Sequence, residues 1–206
     1  MTIRAGITGG MGSGKSTVSA IFETLGIPVY KADEAAKRLM NEDEIIKQQL
    51  VNHFGEAAYE NGVLNRKFMA GQVFNNTEKL ALLNSIVHPA TISDGERWMQ
   101  KQTAPYAIKE AAIIFESGSQ KYLDFIIGVY APVTLRIYRS MKRDNLKQDE
   151  VKARINEQMD DAIKMKLCNA VITNDEQQAL LPQVMKIHET LARLSAVQKK
   201  DSPTSF

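Results

Sequence analysis

Residues 3–17 read Ile-Arg-Ala-Gly-Ile-Thr-Gly-Gly-Met-Gly-Ser-Gly-Lys-Ser-Thr, and the fold turns on how they are read. Ile3 to Thr8 is short, apolar and β-branched, the pattern of a strand buried in a parallel sheet. Gly9, four residues, Gly14, Lys15 and Ser16 then satisfy the phosphate-loop spacing. Glycines let successive backbone N–H groups curl around a phosphate without Cβ clashes. A helix beginning near Lys15 adds the positive end of its dipole. Lys15 has the reach for β- and γ-phosphates, and the Ser16 hydroxyl suits the Mg²⁺ that bridges them. The stretch Gly9, Gly10, Met11, Gly12, Ser13, Gly14, Lys15, Ser16 and Thr17 therefore predicts a nucleoside triphosphate site with ATP and Mg²⁺ as its occupants.

The rest of the composition narrows the class. With 206 residues and 44% hydrophobic content, the chain is sized for one domain with room for an inserted lobe. A net charge of +2 is too small to indicate a nucleic-acid surface. Its one cysteine, Cys168, excludes an internal disulfide framework. No apolar run approaches the ~18 residues a membrane span needs. Strand one starts almost at residue 1, so no secretory signal is expected, and the expected location is the cytoplasm. With no heptad run to indicate assembly, a monomer or weak homo-oligomer is expected.

Going outward from the loop, Val18, Ile21, Phe22 and Leu25 recur at helical spacing and Gly26 stops the helix. A second strand is predicted at Ile27 to Tyr30, leading into Lys31-Ala32-Asp33. Asp33 has two readings, a general base for a phosphoryl acceptor or an N-cap for a helix starting at Glu34. Residues 34–102 read as an inserted helical lobe. It contains a helix from Arg66 to Phe74 and a cap at Asn76-Thr77-Glu78. A break is expected at His88-Pro89. His88 is either an active-site group or a hydrogen-bonding residue at that junction.

The third strand is predicted over Tyr106 to Ile114, which places Glu116 at its carboxyl end. There it is a candidate to hold Mg²⁺ through water, or to cap the next turn. Glu110 takes the metal role only if the strand stops sooner. Asp124 to Tyr130 is strand four, and Pro132 opens the next helix. Arg136, Arg139, Lys142, Arg143, Lys152, Arg154, Lys164 and Lys166 then load one segment with positive charge. This segment, 136–167, is expected to be a lid that brings arginines to transition-state charge. Ala170 to Thr173 is strand five, ending at Asn174. A helix follows over Glu176 to Val197, then a tail over 198–206. The fold class is α/β: a three-layer P-loop kinase architecture with a five-stranded parallel sheet. Its core is 1–33, 103–135 and 168–197.

These motifs together resemble the dephospho-coenzyme A kinase family over nearly the whole chain. The loop at Ile7–Thr17 is similar to that family's TGGIGSGKST, and Gly26–Asp33 to its second strand and acidic residue. Gly62-Val63-Leu64-Asn65-Arg66, Val73-Phe74 and Val87-His88-Pro89 resemble segments of its helical lobe. Ile113–Ser117, then Arg139, Met141, Arg143 and Asp144, then Arg154, Gln158 and Met159, and finally Val171–Asn174 resemble its later motifs. The resemblance implies phosphoryl transfer from ATP to the ribose 3′-hydroxyl of dephospho-CoA. It implies that Asp33 is the base, Lys15 and Arg143 are catalytic with Arg139 in support, and Asn174 lies near the adenine. The chain departs from the family pattern at Lys31, Glu110, Asn169 and Thr173, each of which stands where Asp is common in the family. The same loop also fits a kinase of another small acceptor, such as a nucleoside monophosphate. A nucleotide-dependent switch would need a base-reading NKxD-type motif, which the chain lacks.

Overall fold

A computed structural model describes residues 2–74 and 76–201, the side chains of 199–201 excepted. In chain order the elements are β1 (Ile3–Thr8), α1 (Lys15–Thr24), β2 (Val29–Lys31), α2 (Ala32–Glu42), α3 (Glu44–Phe54), β3 (Tyr59–Glu60), β4 (Val63–Leu64), α4 (Arg66–Val73) and α5 (Thr77–Gln100). They continue with β5 (Tyr106–Glu110), β6 (Phe125–Tyr130), α6 (Val133–Asp144), α7 (Gln148–Asn156), α8 (Asp161–Lys166), β7 (Ala170–Thr173) and α9 (Leu180–Asp201). The chain divides into two compact units, one of residues 1–30 and 98–206, the other of 31–97.

The first unit is built on a five-stranded parallel sheet in the order β2-β5-β1-β6-β7. β1 is central and pairs in parallel with β5 on one side and β6 on the other, through Ile7↔Glu110 and Thr8↔Gly128 at its carboxyl end. The central strands are apolar because both faces are covered: Ala5, Ile7, Ile108 and Ile127 are wholly buried with Val18 and Phe22 of α1 and Leu191 of α9. In an open parallel sheet, ligands bind beyond the carboxyl ends of the strands, at a switch in strand order. The order here switches at β1, whose carboxyl end leads into the phosphate loop.

The second unit has its own core, where Leu39, Ile46, Leu50, Phe54, Leu64 and Met69 are buried together. Asp43 caps α3 by accepting from the N–H groups of Ile45 and Ile46 at 2.9 and 3.2 Å. Asn65 caps α4 through the Phe68 N–H, and Asn76 accepts from the Lys79 N–H as α5 begins. β3 and β4 form a two-stranded antiparallel sheet.

Several element boundaries differ from the sequence expectation. α5 does not break at His88-Pro89 but runs through Pro89. A proline there removes one N–H donor, to the carbonyl of Ser85, and Ser85 is exposed to water. Leu82, Leu83, Ile86 and Ala90 pack on the second core on both sides of the proline, so burial keeps the helix continuous. Asp33 is not an N-cap: Lys31 occupies that position and Asp33 is exposed in the first turn of α2. Pro132 is the N-cap of α6 and not part of its first turn. The expected lid, 136–167, consists of α6, α7 and α8 in succession. α9 starts at Leu180, after Asp175 has turned the chain by accepting from the N–H groups of Gln177 and Gln178. It continues to Asp201, beyond the expected start of the tail; 202–206 lie outside the described residues.

Candidate phosphate-binding site

The loop between β1 and α1 requires glycine at particular positions. Gly12 has φ of 77° and Gly14 of 93°, a left-handed backbone that a side chain resists. At Gly12 a Cβ would lie 2.6 Å from the Ser140 hydroxyl, and at Gly14 it would collide with the Asn174 amide. The loop closes on itself through Ser13 N–H to Gly10 O at 3.1 Å, and α1 begins through Val18 N–H to Gly14 O. Lys15 folds back so that its Nζ donates to Gly9 O at 2.9 Å and Gly10 O at 3.3 Å. The first amides of α1 have no acceptor within the helix and carry its positive dipole end, which makes this turn an anion cradle.

A cleft of about 560 Å³ opens above the loop, lined by Lys15, Ser16 and Thr17 with Tyr138, Arg139 and Arg143 of α6. Lys142 and Glu176 complete its charged rim, leaving four cations to one carboxylate. Such a balance favours a polyanion. Asn174, at the end of β7, donates its side-chain N–H to Ser13 O at 2.8 Å. Arg139 donates to Asn174 O at 3.2 Å and pairs with Glu176 at 3.0 Å. Glu176 has φ of 66°, unusual for a non-glycine residue, and that strain at the rim of a cleft is characteristic of binding sites. Arg143 makes two 2.8 Å hydrogen bonds to the neighbouring Asp144.

The two candidate carboxylates separate clearly. β5 stops at Glu110, four residues short of the expected end, because 111–118 turn away once Ala111 N–H has bonded to Ile7 O. Glu110 is therefore the acidic residue at the strand's carboxyl end. Its Oε1 accepts from the Ser16 hydroxyl at 2.7 Å, while Oε2 is buried with no hydrogen-bond partner. Glu116 stands elsewhere. Its Oε1 accepts from Lys164 Nζ at 2.8 Å and from the Met159 N–H at 3.0 Å. Half-burial pushes the Glu116 carboxyl up, but the hydrogen bonds from Lys164, its own backbone and Met159 outweigh it and hold the group below the usual carboxylate range.

Two other candidates are placed by local structure. Asp33 follows β2 directly, exposed on α2 in the helical unit. His88 is half-buried within α5, and desolvation lowers its pKa, favouring the neutral imidazole. Two family departures have structural partners: the Asn169 side-chain Oδ1 accepts from Ile126 N–H at 2.7 Å, and the Thr173 backbone exchanges two hydrogen bonds with the Gln183 side chain. Among the described residues no helix is long and apolar enough to cross a membrane.

Comparison with known proteins meets this geometry. A model of the dephospho-CoA kinase family matches residues 3–179. The dephospho-CoA kinase of Bacteroides fragilis is 37% identical over 188 residues, 91% of this chain and 92% of that protein. A solved structure from Thermus thermophilus, TT1252, superposes with a TM-score of 0.78 at 34% identity, over 94% of this chain and 98% of that one. The dephospho-CoA kinase from Campylobacter jejuni does so with a TM-score of 0.69 at 26% identity, again over 94% and 98%. With a glycine loop shaped for phosphates, a cationic cleft above it and a family match spanning both units, the chain belongs to the dephospho-CoA kinase family.

Proposed function

We propose that this protein transfers the γ-phosphoryl group of ATP to the ribose 3′-hydroxyl of dephospho-CoA, giving CoA and ADP, the last step of CoA synthesis. The observation that supports this most is the Ser16–Glu110 pair beside Lys15 in a chain matched by the family over residues 3–179. Phosphoryl transfer needs positioned charge more than covalent chemistry. The loop 9–17 holds the phosphates by backbone N–H groups, and Lys15 neutralises them. Arg143, supported by Arg139, stabilises the charge on the transferring group as the 136–167 lid closes. Asn174, tied to Ser13 and Arg139, borders the nucleotide.

Mg²⁺ suits the residues present. Ser16 Oγ and the buried, unpartnered Glu110 Oε2 are hard oxygen donors, as this cation requires. Ser16 would hold it directly and Glu110 through its oxygens or a water. When bound, the ion offsets charge on the β- and γ-phosphate oxygens. Asp33 is proposed to accept the 3′-hydroxyl proton and orient that hydroxyl.

The deciding experiment is ADP release from ATP and Mg²⁺ with and without dephospho-CoA, with the product identified by mass. A strong dependence on dephospho-CoA and formation of CoA are expected. Acceptor-independent hydrolysis, or response only to another small acceptor, would overturn the substrate assignment. In the same assay, Asp33→Asn is expected to lower kcat by about 10²–10⁴-fold with ATP affinity kept. Wild-type turnover would mean that Asp33 is not the base.

A further inference from the structure

Met11 is the apex of the phosphate loop, and both of its backbone groups are held by side chains from far along the chain. Its N–H donates to Gln158 Oε1 at 2.9 Å, and its carbonyl accepts from Arg136 Nε at 2.9 Å. Arg136 is itself locked, its side chain 2% exposed and ion-paired with Asp161. Its guanidinium lies where a Cβ on Gly10 would stand, so only glycine fits beside it. Gln158 is partly buried, and the residues that follow it are anchored. The next residue, Met159, donates its N–H to Glu116, and Lys164 reaches both Glu116 and Ala112 O, the latter at 3.1 Å. The stretch 158–164 is thus tied down on the loop apex and on the turn after β5.

The peptide joining Gly10 to Met11 has two ends with different partners. Its N–H points at Gln158, while its carbonyl accepts from Ser13 N–H at 3.1 Å and from Lys15 Nζ at 3.3 Å. A peptide flip would reverse both ends at once. It would remove the longer of the two carbonyl contacts that hold the Lys15 ammonium, and the bond that curls the loop at Ser13. We infer that Gln158 is a positioning residue for phosphoryl transfer: by accepting from Met11 N–H it fixes the 10–11 peptide, and so presets Lys15 and the loop for the triphosphate. Arg136 holds the far side of the same residue. The gain is preorganisation, since a loop already curled loses less freedom when nucleotide binds.

The test uses the full chain and the substitutions Gln158→Leu and Gln158→Glu. Leucine fills the space without accepting; glutamate keeps an acceptor oxygen at the same reach. Calorimetric Kd for ATP with Mg²⁺, KM for ATP and for dephospho-CoA, kcat and Tm are measured for each. The leucine variant is expected to raise Kd and KM for ATP roughly tenfold, the effect of one lost hydrogen bond at a preset site. Its KM for dephospho-CoA stays at the wild-type value, and the glutamate variant recovers most of the ATP affinity. Wild-type ATP affinity in the leucine variant would overturn the inference. So would equal losses in both variants alongside an equal fall in Tm, which would make Gln158 a packing residue. The turnover arm rests on the proposed function, whereas the affinity arm does not. A wild-type chain that ignores dephospho-CoA would defeat that function and leave the ATP comparison to decide Gln158.

Discussion

The phosphate loop and the basic segment 136–167, whose helix α6 lines the cleft above that loop, encode their roles in opposite ways. In the loop each residue's part is set by neighbours a few positions away: Gly12 and Gly14 by backbone angles, Lys15 by carbonyls at 9 and 10. In the basic segment, residues of one chemical type go to different fates. Arg136 and Lys164 have side chains 2% and 0% exposed and are spent on Asp161 and Glu116. Arg139, Lys142 and Arg143 line the cleft. Helix phase separates them on α6. Arg136 and Ser140, four apart, form the buried stripe, while Arg139, Lys142 and Arg143, at spacings of three and four, share another face. A count of positive charge thus overstates the number of groups available to a phosphate, because a buried cation is committed to its partner.

The sharpest way to break this contrast is to exchange one residue from each face. Arg143→Ala is expected to lower kcat by about 10²–10³-fold, the scale of losing one group preset for transition-state charge. Its thermal midpoint should stay at the wild-type value, because the side chain is 64% exposed. Arg136→Met should act chiefly on stability, with a weaker ATP affinity beside it because the same side chain holds the Met11 carbonyl. Removing one partner of a buried pair costs about 3–5 kcal/mol in general, and Asp161 retains some solvent, so about 2–3 kcal/mol is expected. At roughly 2–4 °C per kcal/mol for a chain this long, Tm falls by about 5–10 °C. Kinetics and thermal melts on both variants decide it: if Arg143→Ala melts early, or Arg136→Met keeps wild-type stability, the division of the segment is wrong.

A second, smaller effect separates the two glutamates that follow Ile108. Glu110→Gln keeps the shape beside Ser16 and removes the charge, so the Mg²⁺ concentration for half-maximal rate should rise about 10–100-fold. Glu116→Gln should leave that concentration unchanged. A Mg²⁺ titration of both variants at saturating ATP reads this directly, and a shift confined to the Glu116 variant would reassign the metal carboxylate.

These cases show which parts of the molecule the sequence reveals. β1, the loop, α1 and β7 were legible because strand pattern, glycine spacing and helix start lie within a short window. Their family membership followed from motifs spread along the chain. The end of β5 was not legible: Ile113, Ile114 and Phe115 are apolar enough to extend a strand, and only the departure of the chain after Ala111 ends it. Ile114 is buried in a turn, which a strand pattern cannot distinguish. Pro89 has a strong local breaker signal that core packing overrides. Gln158 gave no chemical signal beyond its place in a family motif, since a neutral amide among charges carries no period or pKa; its partner at Met11 is 147 residues away. Local chemistry is readable from sequence; pairings set by tertiary structure are not.

The smallest predicted effect concerns pH and the committed side of the basic segment. Glu116 titrates below the usual carboxylate range in the folded chain, because the bonds from Lys164, its own backbone and Met159 outweigh the opposing effect of burial. A carboxyl with a depressed folded pKa binds fewer protons in the native state than in the unfolded one. Its contribution is therefore fully present above the unfolded value, near 4.3 for glutamate, and is lost as pH falls through the folded value. Glu116→Gln keeps a carbonyl to accept from Met159 and Lys164 but not the charge. At pH 7 it should destabilise the chain by about 1 kcal/mol, the margin of a charge-assisted hydrogen bond over a neutral one. Urea denaturation of wild type and variant at pH 7 and at pH 4 should show the gap narrowing towards acid as the wild-type carboxyl takes up its proton. A gap of the same size at both pH values would mean that Glu116 acts through shape alone, and that the anchoring of 158–164 owes nothing to its charge.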